Sequence, residues 1–221
     1  MQRIPEPELM DDPAQAAAYA GADFSIPNAL FVETALSHLG SGSGRLIDLG
    51  CGPGDICLRL ARALPGWQIV GLDAGPNMIA LASQAAEQAG LADRIELIQA
   101  RLPDHGQNHP FDAVVSNSLL HHLPDPMVLW HALCDLATAR AYVQVMDLHR
   151  PASPAAARAM VEASSGDEPR ILREDFYNSL CAAWTAEEIH AQLDRAGLAD
   201  LQLSRPTERH WMVSGYLAGQ E

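Results

Sequence analysis

No lysine occurs in this chain: all fourteen basic residues are arginine, set against twenty-eight Asp and Glu, and the formal charge is -14. A surface of that sign repels a phosphate backbone, so nucleic acid is excluded as the expected partner. Cysteine is scarce as well. Cys51, Cys57, Cys134 and Cys181 show no C-x-x-C spacing, and all four are expected to be reduced. No apolar run approaches the roughly 20 residues that cross a bilayer, and no charged-then-apolar leader opens the sequence. The expectation is a cytoplasmic protein with no membrane partner. Low complexity and internal repeats are also missing, and 48% hydrophobic residues in a chain of 221 suffice for one substantial core.

What is present from Arg45 onward is an alternation of short β-rich runs with alanine- and leucine-rich helical stretches, the pattern of a parallel sheet covered on both faces. Strands are expected at Arg45–Leu49, Gln68–Leu72, Ile95–Gln99, Phe111–Ser116 and Ala141–Met146, with a closing antiparallel pair at Leu201–Ser204 and Trp211–Leu217. Helices are expected from about Asp55 to Leu64, Pro76 to Ala89 and Pro126 to Ala137. A further helix, Thr185–Ala196, opens on the capping box Thr185-Ala186-Glu187-Glu188 and closes on Gly197. Two segments stand outside the alternation. Residues 1–40, with helical stretches at Pro13–Ala20 and Asn28–His38, read as an amino-terminal lid on a main domain of residues 41–221, and residues 150–183 read as a proline-flanked insertion that helps to cover the site.

The chemistry is concentrated in Leu46-Ile47-Asp48-Leu49-Gly50-Cys51-Gly52-Pro53-Gly54, where an apolar strand runs into a glycine turn and then a helix. Glycines let backbone approach a ligand closely, and a helix start offers unsatisfied N–H groups. Asp48 lies among apolar neighbours, where an unpaired carboxylate is costly and a bound cation resolves the cost. Asp73, at the tip of Ile69-Val70-Gly71-Leu72, can accept two hydrogen bonds from vicinal ribose hydroxyls, although Asp73-Ala74-Gly75-Pro76 also reads as a helix N-cap. A dinucleotide fingerprint wants G-x-G-x-x-G, and this spacing is Gly50-x-Gly52-x-Gly54.

Asp48-x-Gly50-x-Gly52-x-Gly54, joined by Gly71-Leu72-Asp73 and by Phe111-Asp112-Ala113-Val114-Val115-Ser116-Asn117, closely resembles the motifs of class I methyltransferases that use S-adenosylmethionine. The resemblance covers Leu46 to Met146. It implies an α/β fold, a three-layer, doubly wound, seven-stranded and mainly parallel sheet with an antiparallel last strand. It implies S-adenosylmethionine as the methyl donor, with Asp48 on the ammonium group, Gly50, Gly52 and Gly54 as bare main chain, Asp73 at the ribose, Ala74 beside it in the donor site, Met78 against adenine and Tyr19 closing over the donor. The loop after the third strand departs from the family, because Gln99-Ala100-Arg101-Leu102 stands where an acid commonly meets the adenine amino group. Recognition there is expected from backbone groups of Ala100 and Arg101.

Asn117-Ser118-Leu119-Leu120-His121-His122-Leu123-Pro124-Asp125 leaves the fourth strand into the same crevice, so Asn117 and Ser118 are expected to line it. It lacks the Asn-Pro-Pro-aromatic tetrapeptide of methyltransferases acting on DNA bases or glutamine, and looks like the small-molecule branch near the ubiquinone and menaquinone biosynthesis enzymes. His121 or His122 is a candidate base for a hydroxyl or thiol acceptor, with local packing as the bland alternative. Adjacent histidines on a helix or strand point in different directions, so no shared metal is expected. Asp147, Arg150 and His210 are weaker candidates for the acceptor pocket. Arg3-Ile4-Pro5-Glu6-Pro7-Glu8 stands out without a role. The implied function is methyl transfer to an O, N or S atom of a small molecule by an enzyme for which a homodimer is allowed. An NAD-dependent oxidoreductase and a non-catalytic donor-binding module stay open as rivals.

Overall fold

Leu46, Ile47 and Leu49 are fully buried, and they alternate between two apolar clusters. Ile47 and Leu49 join Val70, Leu72 and Val114 on one face, while Leu46 joins Ile69, Ala113 and Val115 on the other. A strand of this kind has to be covered on both sides. The computed structural model, which describes residues 1–6, 11–165 and 168–218, shows how. Seven strands form one sheet: β1 (Gly44–Leu49), β2 (Trp67–Asp73), β3 (Ile95–Gln99), β4 (Phe111–Asn117), β5 (Ala137–Leu148), β6 (Gln202–Thr207) and β7 (His210–Tyr216). Their order is β3-β2-β1-β4-β5-β7-β6, and β7 alone runs against the rest.

One face carries α2 (Ser25–Leu39), α3 (Asp55–Ala63) and α4 (Pro76–Gln88), which bury Phe31, Leu60 and Ala86 on it. The opposite face carries α5 (Met127–Leu136) and α8 (Ala186–Ala196), through Trp130, Leu133, Ile189 and Leu193. The strand order reverses between β1 and β4, and a crevice opens at their carboxyl ends. Both capping residues of the Thr185–Glu188 box are in place at the start of α8, and Gly197 ends that helix in the left-handed region with φ 71°.

Three boundaries differ from the sequence reading. α2 begins a turn before Asn28, because Pro27 falls in the first turn, where its missing N–H has no helical partner to lose. β5 begins at Ala137, directly after α5, and reaches its main pairing with β4 only after a register shift, with Arg140 at φ 68°. The 150–183 segment is two helices, α6 (Pro154–Ser165) and α7 (Arg170–Ala182), which close a small separate core of Leu148, Ala157, Val161, Leu180 and Ala183. Residues 7–10 of the amino-terminal segment and 166–167 of this one lie outside the described residues. Ahead of α2, α1 (Pro13–Gly21) is capped by Asp12, whose Oδ1 accepts the Ala14 and Gln15 N–H groups. Among the described residues no helix is long and apolar enough to cross a membrane.

Phe31 is fully buried, which makes α2 part of the main core rather than a detachable cover. Phe31→Ala is expected to lower stability by about 3 to 5 kcal/mol in urea denaturation, and a loss below about 1 kcal/mol would show loose docking.

Candidate active site

A cavity of about 650 Å³ lies over the carboxyl ends of β1, β2 and β4. Its floor is the turn between β1 and α3. Gly50 and Cys51 both donate their N–H to the Leu72 carbonyl, at 2.7 and 3.0 Å, which folds the turn over the neighbouring strand. Gly50 has φ 74°, and a Cβ there would sit 2.8 Å from the Leu119 side chain. Gly54 precedes α3 at φ 88°, tight against Ala82, and supports the turn from behind without lining the cavity.

Asp48 is the electrostatic anomaly of this floor. Strand alternation puts it on the same face as Leu46, only 1% exposed, with Oδ2 accepting the Cys57 thiol at 3.5 Å. Its Oδ1 has no hydrogen-bond partner among the described residues, although the side chain borders the cavity. Burial pushes its pKa up to about 7, the Cys57 contact opposing and the Asp73 charge adding to the shift. Asn117, across the crevice at the end of β4, likewise has a buried Oδ1 without a partner, while its Nδ2 donates to Asn28 Oδ1 at 3.1 Å. Asn28 in turn donates to Asp55 Oδ2 at 2.7 Å, so the amino-terminal segment holds the β4 end in place.

Asp73 Oδ2 accepts the Gly52 N–H at 2.9 Å and Oδ1 the Gly75 N–H at 2.8 Å, so the second acid is clamped to the glycine turn. Burial raises its pKa and those two N–H groups oppose the rise. It does not cap α4, whose N-cap is Gly75. The N–H of Asn77 goes instead to Asp11 Oδ1 at 3.0 Å, a donor–acceptor pair 66 residues apart. Ala74, Met78, Ala100 and Arg101 line the same end of the cavity, with Met78 buried. The Ala100 N–H is committed to the Asp73 carbonyl at 3.0 Å, which corrects the expectation that it is offered to a ligand. Tyr19 borders the centre of the cavity, and its hydroxyl is pushed up to about 12, first by burial and then by Asp147, Asp73 and Asp55.

The far side is built by the link from β4 to α5. Ser118 takes φ 60° and donates its N–H to the Met146 carbonyl at 2.9 Å, turning the chain into a single 3-10 turn, Leu120–His122. Asp147 receives that turn: Oδ2 accepts the His121 N–H at 2.9 Å and Oδ1 lies 2.6 Å from His121 Nδ1. Glu6 approaches from the opposite side, 3.4 Å from His121 Nε2 and 3.2 Å from His122 Nδ1, and accepts the Ser179 hydroxyl at 3.2 Å. Burial opposes charge on His121, but Asp147 and then Glu6 outweigh it and raise its pKa, while Asp147 is held below the usual carboxylate range.

Two expectations are corrected here. The neighbouring imidazoles do not diverge: their ring centroids are 4.1 Å apart, and the Glu6 carboxylate meets both rings, at 3.4 and 3.2 Å. Arg150 is not a pocket residue, since its guanidinium donates to the Ala183 carbonyl at 2.9 Å and to Glu188 at 2.7 Å and so joins α7 to α8. His210 does border the cavity, with its pKa lowered to about 4 by burial and then by Arg209. Glu6 and Asn28 were missed because no periodicity or motif marks them.

Residues 46–140 match the family model described as a methyltransferase domain. That stretch is similar to methyltransferase domains. Over 108 residues the chain is 31% identical to a ubiquinone biosynthesis O-methyltransferase of Yersinia pestis, an overlap that takes 48% of this chain and 43% of that one. The chain thus spans less than half the length of such relatives. Among solved structures, a SAM dependent methyltransferase from Aquifex aeolicus is 17% identical, with a TM-score of 0.67 over 94% of this chain and 99% of that one. The plantazolicin methyltransferase BpumL, solved with SAH and a desmethylPZN analog, is 14% identical, with a TM-score of 0.72 over 92% of each chain. These likenesses establish the fold.

The turn that carries this domain's floor leaves no room at Gly50. Gly50→Ala is expected to cost at least about 1 to 2 kcal/mol from its left-handed backbone alone, seen as a lower denaturation midpoint with an unchanged slope.

Proposed function

We propose that this protein transfers the methyl group of S-adenosylmethionine to an oxygen, nitrogen or sulfur atom of a small-molecule acceptor. The observation that carries the reading is the partnerless Asp48 Oδ1, buried in the floor of the cavity with the partnerless Asn117 Oδ1 across from it. Two buried acceptors facing one space call for a donor rich in N–H, and a ligand ammonium supplies both charge and hydrogen bonds. Asp73 keeps lone pairs for a vicinal diol beyond its two backbone contacts. Met78 and Ala74 give the nucleobase an apolar seat, and Tyr19 covers the sulfonium region.

When bound, the donor supplies an already activated methyl group. The chain's own work is therefore positioning: acceptor and methyl carbon have to be held about 3 to 3.5 Å apart in line, with water kept out. The 1–40 and 150–183 segments serve as the cover, since Tyr19, Asn28, Phe176 and Ser179 from them border the cavity. The acceptor lies against His121 and His122, the polar face through which its proton leaves. A small molecule, rather than nucleic acid, fits the charge of -14. None of the four cysteines is in a disulfide, which suits a reducing, cytoplasmic setting.

Calorimetric titration with S-adenosylmethionine, its demethylated product and NAD tests the reading. Binding of the first two but not NAD, followed by methyl transfer from labelled donor to a component of a metabolite extract, is the expected result. NAD binding alone would mark an oxidoreductase, and donor binding without any labelled product a silent module. Asp73→Ala should weaken donor binding by about 1.5 to 3 kcal/mol for each charge-assisted bond lost. The donor cation stabilises ionised Asp48, so its binding expels the proton that Asp48 holds below pH 7. Donor affinity is accordingly expected to fall on acidification from pH 8 to 6, approaching tenfold per unit below pH 7. Asp48→Asn should bind weakly with that part of the dependence gone, and an unaltered profile would refute the assignment.

A further inference from the structure

The opening residues, without a role in the sequence reading, form a strap across the acceptor side. Arg3 lies over the Trp184 ring at 4.0 Å and donates to the carbonyls of Ala182, His121 and Leu123 at 2.6, 2.9 and 3.2 Å. The Ile4 N–H reaches the Cys181 carbonyl at 3.0 Å. Arg3 is thus tied to the same 3-10 turn that bears the two histidines, and Glu6, three residues on, is delivered between them.

The three side chains that meet there are His121, His122 and Glu6, each offering one possible ligand atom within 4.8 Å of the others. In a tetrahedral site with nitrogen and oxygen ligands at about 2.0 to 2.1 Å, ligand atoms stand about 3.3 Å apart. The Glu6 edges to His121 and His122 are 3.4 and 3.2 Å. Behind His121, Asp147 takes Nδ1 at 2.6 Å, the arrangement in which an outer carboxylate orients a ligating imidazole and fixes its tautomer. Charge points the same way. Glu6 and Asp147 place two carboxylates, 10% and 1% exposed, around two imidazoles, a set that one divalent cation neutralises.

We propose that His121, His122 and Glu6 bind one divalent transition ion of the zinc class, with its remaining coordination position toward the cavity that both imidazoles line. Two imidazoles and a single carboxylate suit such an ion better than magnesium or calcium, which take oxygen ligands. The ion's use rests on the methyl-transfer reading. The acceptor's hydroxyl or thiol occupies the open position and releases its proton to solvent. Its new bond to carbon then forms as the donor's C–S bond breaks, the sulfonium leaving as a neutral thioether and the ion keeping its oxidation state. The histidines act through the ion rather than as free bases.

The test begins with purified full-length protein stripped by a chelator, then titrated with Zn²⁺ by calorimetry and with Co²⁺ by visible absorption. One equivalent per chain is expected, with the d–d bands of a four- or five-coordinate cobalt site. Glu6→Gln and His122→Asn should each weaken binding about 100-fold, and Asp147→Asn about 10-fold or more. His131→Ala, on an exposed position of α5, should bind as the parent does. Folding of each variant is checked by its circular dichroism and melting curve, and Asp147→Asn keeps the idea falsifiable if Glu6→Gln does not fold. Absence of a stoichiometric site, or equal ion affinity in parent and Glu6→Gln, would overturn the inference. Donor binding measured on the same stripped samples separates the two readings: donor bound without ion refutes only the metal site, while ion bound without donor refutes only the methyl-transfer reading.

Discussion

A carboxylate buried in the middle of a parallel sheet, with one oxygen left without a partner, is the constraint around which this molecule is arranged. Asp48 destabilises the empty fold, because burial penalises its charge and a cysteine thiol is a poor substitute for water. Fully buried strands on either side supply the compensation. Leu46, Ile47, Val114 and Val115 are solvent-free, and they hold the β1 end so firmly that it cannot relax to solvate the acid. The result is a rigid, partly unsatisfied socket. A cationic ligand that fills it gains what the fold gave up, so recognition is strongest where stability is locally poorest.

The donor half of the cavity was legible in the sequence because its parts are close together along the chain. Asp48, the three glycines and Asp73 occupy one strand–turn–helix–strand unit, and the turn conformation they require is local. Even there, what sequence pattern could not resolve was occupancy. Asp73 reads first as a ligand residue with a helix cap as the bland alternative, and its bonds to Gly52 and Gly75, together with Asp11 serving α4 from a distance, remove the cap. The Ala100 N–H shows the converse error, since a backbone group at the right place was already taken by β2.

The acceptor half was far less legible. Glu6, His121, Asp147 and Ser179 come from four separate segments, and nothing in their local patterning announces that they meet. The histidine pair was visible as a motif, yet its geometry was misjudged, because the carboxylate that both rings meet, Glu6, lies more than a hundred residues away in the chain. Arg150 failed in the opposite sense: a polar residue near an expected pocket turned out to tie two helices together.

The same division appears in the comparison with known proteins. The family match runs from residue 46 to 140, which holds the glycine turn, Asp73 and the histidine turn, whereas Glu6, Asn28, Asp147, Ser179 and His210 all fall outside it. The fold is shared with a solved structure even at 14% identity. On the proposed reading these residues face the acceptor, and they are carried on the strap, α2, the helical insertion and the β5 and β7 strands. Those pieces can change without disturbing the Asp48 socket, provided each keeps its anchor. In this chain the anchor of the strap is Arg3 on Trp184, and its bonds to the His121 and Leu123 carbonyls couple the position of Glu6 to the histidine turn.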